Sequence, residues 1–309
     1  MGVLLRWVLG VIARLPISVV AWFGAILGWF VASVLRVRRR EVESAMRATG
    51  IANPVACTRA MYRSLGISAL ELIALTTPHA DALIGRVVVA EASRRQIARA
   101  QGLGRGLVVA ATHTGNWDLA ACAMAHEGEL MVVTKHLKVR FLDRFWQETR
   151  AAHGVLLCDA RGALSRARNT LKRGGAVAMM VDQVPFLRRH AIRTDFLGRP
   201  AWTDKAPATL AAAAAAPILL VASHRDEVQR QHLHVLGVWL PPERPTREWI
   251  ERTTRDLSRS LGEFVRQHPS DWLWLHRRWK LLDSEPGKTM IEAPCETPSR
   301  LPGGPSTAA

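Results

Sequence analysis

Acidic residues are scarce in this chain, 26 against 42 lysines and arginines, which leaves a formal net charge of +16. That imbalance points to an anionic partner: nucleic acid, a membrane surface, or an acidic protein or substrate. Cysteine is scarcer still. Cys57, Cys122, Cys158 and Cys295 show no paired spacing. This argues against a disulfide framework or a zinc site and fits a reducing compartment. Tyrosine occurs once beside eleven tryptophans, a residue that favours water–lipid boundaries as well as cores. The sequence has no G-x-S-x-G elbow, no glycine-rich phosphate loop, and no cysteine in a catalytic-looking setting. Chemistry through a covalent serine or cysteine therefore has no foothold, and neither does a phosphate cradle of the P-loop kind. A metal reading finds one His and one Asp in a single turn, with no second His nearby. No cofactor is expected.

One hydrophobic run is long. Ile17 to Leu35 holds 19 residues without a charge, and at ~1.5 Å per residue it spans roughly 28 Å, close to a hydrocarbon core. Arg36, Arg38, Arg39 and Arg40 follow it, and Arg6 and Arg14 precede it. No A-x-A cleavage site follows, so residues 1–40 read as an uncleaved membrane anchor with the rest of the chain on the cytoplasmic side. A monotopic or interfacial helix broken at Pro16, and a buried globular helix, are the alternatives.

Residues 41–100 read as mostly helical, with a strand at Val87–Ala90. From residue 105 strands and helices alternate. The strands are Leu107–Ala111, Leu130–Thr134, Val155–Cys158, Ala176–Val181, Ile218–Ala222 and Leu233–Gly237. The helices are Trp117–His126, Phe141–His153, Leu164–Lys172, Asp204–Ala216 and Arg247–His268. The expected fold is α/β, a mixed, largely parallel sheet with helices on both faces, over residues 41–283. The tail at 284–309, rich in Pro, Gly, Ser and Thr, reads as disordered.

The chain is organised around Leu107–Ala121, LVVAATHTGNWDLAA. A buried strand feeds a helix through a polar turn that carries His113. On one helix, residues five apart lie about 140° round the axis, so His113 and Asp118 cannot share a helix face. They can meet if His113 sits in the turn and Asp118 in the first helical turn. The carboxylate would then hold one imidazole nitrogen and leave the other free as a base. The alternative is structural: Asn116 or Asp118 caps the helix and His113 is an ordinary turn residue.

Two further stretches stand beside this turn. Val181-Asp182-Gln183 ends an apolar strand, where open α/β sheets place ligands. The alternative is a turn with Asp182 bonded to backbone. Trp272 to Lys280, WLWLHRRWK, fits a membrane-interface or phosphate-binding surface, or a plain strand with a solvated basic end. His79, His126 and His224 have no partner at useful spacing and read as structural or exposed.

Together these residues make a pattern. The apolar N-terminal segment, the H-x4-D box His113-TGNW-Asp118, the Val181–Gln183 segment followed by DFLGRPAWT at Asp195–Thr203, and the closing DWLWLHRRWK at Asp271–Lys280 occur in this order. The chain resembles the bacterial lipid A biosynthesis acyltransferases, the late enzymes that add secondary acyl chains, over roughly residues 5–282. The resemblance implies an α/β acyltransferase domain behind a membrane anchor. It implies transfer of a fatty acyl group from acyl carrier protein to a hydroxyl of a glycolipid, with no nucleic acid among its partners. By position His113 would be the general base and Asp118 its orienting partner. Family members can carry Glu at Asp118, which serves the same role. Arg150 falls near a family arginine held to bind phosphate, and Asn116, Asp182 and Gln183 fall among the substrate contacts. Backbone N–H groups around Gly115–Trp117 would stabilise the oxyanion. The run Phe186-Leu187-Arg188-Arg189 is more basic than the family pattern and leaves the acceptor open. Other readings are acylation of another glycolipid or lysolipid, such as a phosphatidylinositol mannoside, and a membrane-anchored basic binding protein without chemistry.

Overall fold

The computed structural model describes residues 10–160, 162–185 and 188–280. The tail expected at 284–309 lies outside them, as do Phe186 and Leu187. The chain opens with helices α1 (Ile17–Ser33), α2 (Arg39–Ala48), α3 (Pro54–Ala74) and α4 (Ala80–Ile84). Then come β1 (Val87–Val89), α5 (Glu91–Gln101), β2 (Leu107–Ala111), α6 (Trp117–Glu127), β3 (Leu130–Thr134), α7 (Arg140–Ala152), β4 (Val155–Asp159), α8 (Ala163–Lys172) and β5 (Ala176–Met180). A hairpin of β6 (Ala191–Phe196) and β7 (Arg199–Asp204) leads to α9 (Ala206–Ala214), β8 (Ile218–Arg225), β9 (Gln231–Trp239) and α10 (Arg247–Gln267).

Seven strands form one sheet in the order β1-β9-β8-β2-β5-β3-β4. From β8 to β4 every neighbour pair is parallel, and the β8–β9 pair is antiparallel. The mixed, largely parallel sheet matches expectation. Its central strands β2 and β5, LVVAA and AVAMM, are apolar throughout because both faces are covered. One face buries Leu119 and Cys122 of α6 with Leu83 and Ala100, and the other buries Leu171, Leu257, Val265 and Trp272.

The β6–β7 hairpin was not expected. Its turn is Leu197-Gly198, both left-handed at φ 57° and 79°. A leucine there gives none of the Asn-Gly signal that marks such turns. The spanning anchor is not borne out either. Among the described residues no helix is long and apolar enough to cross a membrane. Pro16 and Val34 bracket α1 at 17 residues, and its small residues seat it on α3. A Cβ on Gly24 would lie 2.6 Å from the Ile67 Cα, and one on Gly28 would strike the Tyr62 carbonyl. The opposite face stays open, with Trp22 and Trp29 each 59% exposed beside Phe23, Ile26 and Phe30.

Candidate active site

Parallel pairing of β2 with β5 sets Ala111 against Met180. Carried two residues on, that register sets His113 against Asp182, and the Val181 N–H bonds the Ala111 carbonyl at 3.0 Å. The Asp182 carboxylate takes both N–H groups of the histidine. Nδ1 lies 2.9 Å from Oδ1, and the backbone N–H donates to Oδ2 at 2.9 Å. The Trp272 indole donates to Oδ2 at 2.9 Å. Burial pushes the Asp182 carboxyl up, but the His113 imidazole and these N–H donors outweigh it and hold it at about 2. An ionised carboxylate only accepts, so Nδ1 carries the proton and Nε2 keeps its lone pair. The Gln183 amide Nε2 lies 3.1 Å from His113 Nε2 and 3.4 Å from Nδ1, over the face of the ring and off the lone-pair axis, and the Trp117 ring meets the imidazole edge-on at 5.1 Å.

The expected bond between His113 and Asp118 does not form. Asp118 lies in the first turn of α6 and faces α7. Its Oδ1 accepts from Arg150 Nε at 2.7 Å, from Arg150 Nη2, and from the Trp146 indole at 3.0 Å. The Arg150 guanidinium also stacks over Trp146 at 3.8 Å and is buried. The two residues picked for a catalytic and a phosphate-binding role are thus each other's partners, tying α6 to α7.

Asn116, expected at the substrate, is the N-cap of α6. Its Oδ1 accepts the Leu119 N–H at 3.0 Å, and its Nδ2 donates to Glu71 Oε2 at 2.7 Å. Glu71 in turn pairs with Arg225 through both carboxylate oxygens, each at 2.7 Å and buried. The structural reading of Asn116 is the one that holds. Two of the three backbone donors expected for an oxyanion are occupied. Gly115 N–H goes to the Asp271 carbonyl at 2.8 Å, and Asn116 N–H goes to Gln231 Oε1 at 3.0 Å.

The closing WLWLHRRWK is neither a membrane surface nor a strand. It wraps the site from below. Leu273 N–H bonds the His113 carbonyl at 3.0 Å, His276 Nε2 accepts the Val184 N–H at 2.9 Å, and Arg278 donates to the Gln183 carbonyl at 2.8 Å. Burial pushes the His276 imidazole down to about 4, so it stays a neutral acceptor. His224 is not isolated. It stacks on His268 with ring centres 4.2 Å apart, and its Nδ1 meets His234 Nε2 at 3.0 Å. Among the described residues no group of histidine, cysteine or acidic side chains could hold a metal.

Behind the turn a narrow apolar cleft runs between α6 and the sheet, with a free volume of about 50 Å³. Thr112 and Trp117 stand at the histidine end, and Ala120, Met124, Val132 and Ala178 line its length.

The profile of one family, bacterial lipid A biosynthesis acyltransferase, matches residues 3–281 of this chain. The chain belongs to that family. The match spans the turn, Asp182 and all of the closing segment, so the whole described site lies inside it. The family name carries the activity: a lipid A biosynthesis acyltransferase moves an acyl group from a donor to a lipid acceptor. No curated protein matches the chain significantly.

Proposed function

We propose that this lipid A biosynthesis acyltransferase carries a fatty acyl group from acyl carrier protein to a hydroxyl of a lipid A precursor, with His113 as general base. The observation that carries this is the His113–Asp182 pair, which leaves Nε2 basic and 13% of the side chain open to solvent. Nε2 takes the hydroxyl proton, and the oxygen attacks the thioester carbonyl. The C–S bond then breaks, and the carrier thiolate leaves with the proton held by the imidazolium. Asp182 stabilises that imidazolium. The Gln183 amide lies over the imidazole face, beside the position where the hydroxyl must arrive, and its N–H groups can turn to the developing oxyanion. The narrow cleft along α6 suits an acyl chain, being apolar and bounded at one end by Thr112, Thr114 and Trp117, which flank the histidine.

The acceptor is a membrane lipid, and the exposed aromatic face of α1 suits an interfacial rather than spanning attachment, at the cytoplasmic face of the inner membrane. Glu71, on the helix that carries α1, bonds Asn116 in the catalytic turn. For the donor, Arg140, Arg166, Arg168 and Lys172 on α7 and α8 are exposed cations for an acidic carrier. Arg144 and Arg173, beside them, are already paired with Glu148 and Glu129.

The test is transfer to the lipid A precursor in neutral micelles, from acyl carrier protein and from acyl-CoA, across an ionic-strength series. Carrier-protein kcat/KM should fall steeply as the Debye length shrinks from ~30 Å to ~8 Å, and Arg166→Glu/Arg168→Glu should flatten that slope. Equal use of both donors with matching slopes would remove the carrier protein from the account.

A further inference from the structure

The open face of α1 continues into a cavity of about 290 Å³ beside the helix, bounded by α3, the residue before β1, and the turn joining β8 to β9. Trp22, Ala25 and Ile67 give it hydrocarbon walls, while Arg63 and Arg86 bring two positive charges to it. Among the described residues neither guanidinium has a hydrogen-bond or ion-pair partner. Arg86 is half-buried. Among the described residues the deeply buried arginines are all matched: Arg150 to Asp118, Arg225 to Glu71, and Arg278 to Thr203 and two carbonyls. A half-buried cation set in an apolar wall without a counter-charge marks the place of an anion.

Two features say which anion. Paired guanidiniums suit a phosphate, whose oxygens accept several N–H donors at once. The walls are hydrocarbon, which a free inorganic ion would not require. Trp22 also belongs both to the cavity wall and to the exposed apolar face of α1, so the cavity opens where that face meets its surroundings. We propose that this cavity holds the phosphate of an anionic bilayer phospholipid between Arg63 and Arg86, with an acyl chain lying along Trp22, Ala25 and Ile67. The inference rests on α1 lying at a membrane surface and is independent of acyl transfer.

The full-length protein is sedimented with vesicles of phosphatidylcholine alone and of an equal mixture of phosphatidylcholine and phosphatidylglycerol. Three proteins are compared with the wild type. Arg63→Gln/Arg86→Gln removes the charges. Ala25→Phe fills the cavity and leaves the charges. Arg166→Gln/Arg168→Gln removes two exposed cations from α8, which packs against the opposite edge of the sheet. The wild type should bind both vesicles and prefer the mixed ones. The first two variants should lose that preference by roughly tenfold or more, since each cation near an anionic surface strengthens binding several-fold, and should keep their binding to phosphatidylcholine. The α8 variant should keep the preference. A preference that survives Ala25→Phe, or falls equally in the α8 variant, would assign it to diffuse surface charge and overturn the site. Wild-type protein that binds neither vesicle would overturn the membrane reading itself.

Discussion

Replacing Asp182 with Asn changes one atom and should disable the histidine. Three N–H groups converge on this carboxylate: the His113 Nδ1–H on Oδ1, and the His113 backbone and Trp272 indole on Oδ2. An amide has one oxygen to offer. It will face the two donors, which leaves its NH2 group against Nδ1. That nitrogen must then accept, so the ring proton moves to Nε2 and the base becomes a donor. The loss is the general-base contribution, about 10²–10⁴-fold in kcat. Asp118→Asn is the comparison. It leaves the His113 tautomer alone and breaks the buried pair with Arg150, a cost of about 3–5 kcal/mol that falls on stability. The assay is turnover of both single variants and of each combined with His113→Ala, with folded protein quantified by thermal unfolding. His113→Ala/Asp182→Asn should be no slower than His113→Ala alone, because the two act as one unit. Folded Asp182→Asn protein working within about tenfold of wild type would refute the reasoning.

Three further outcomes follow. Arg150→Gln should lower the Tm by several degrees, and the double variant with Asp118→Asn should be more stable than the sum of the single losses, since no charge is left stranded. Met124→Trp should shorten the preferred acyl chain and Met124→Ala should lengthen it, read as product masses from mixed-chain donors; unchanged preference would take the acyl chain out of the α6 cleft. His276 is held near 4 against an ordinary 6.5. The unfolded chain therefore binds its proton first, so the contribution of neutral His276 is complete above pH 6.5 and is lost as pH falls through about 4. Between those values wild-type stability should drop by up to ~1.4 kcal/mol per pH unit relative to His276→Gln, and parallel curves would show that the imidazole is not held neutral.

The sheet was legible because β2 and β5 are apolar throughout, the other strands carry apolar runs, and turn residues separate strands from helices. β2, β3 and α6 start where the sequence places them. The turn that carries His113 was legible too. Its partner was not. Local spacing offers Asp118, five residues on, whereas the true contact crosses from β2 to a strand 69 residues later, and only the register of two non-consecutive strands reveals it. The same limit hid the stacked histidines. His224 faces His232 across the β8–β9 ladder, a relation the sequence does not carry. In the closing segment, the tryptophans and arginines look like a surface by composition. Burial of Trp272 and Arg278 against Asp182 and Gln183 makes them a brace instead. At α1, the run of 19 uncharged residues suggested a span. The glycines that bring it onto α3 lie inside the run, and their meaning depends on Gly66, which is far along the chain.

The central claim is that His113 drives direct transfer to a lipid hydroxyl. The most direct measurement is a single turnover with acyl-charged carrier protein and lipid A precursor, followed by mass analysis of both lipid and protein. The account predicts a lipid heavier by one acyl group with wild type, no acyl-enzyme at any time, and no acylated lipid with His113→Ala. Product formed at the wild-type rate by His113→Ala, or an acyl group found on the protein before it reaches the lipid, would contradict it.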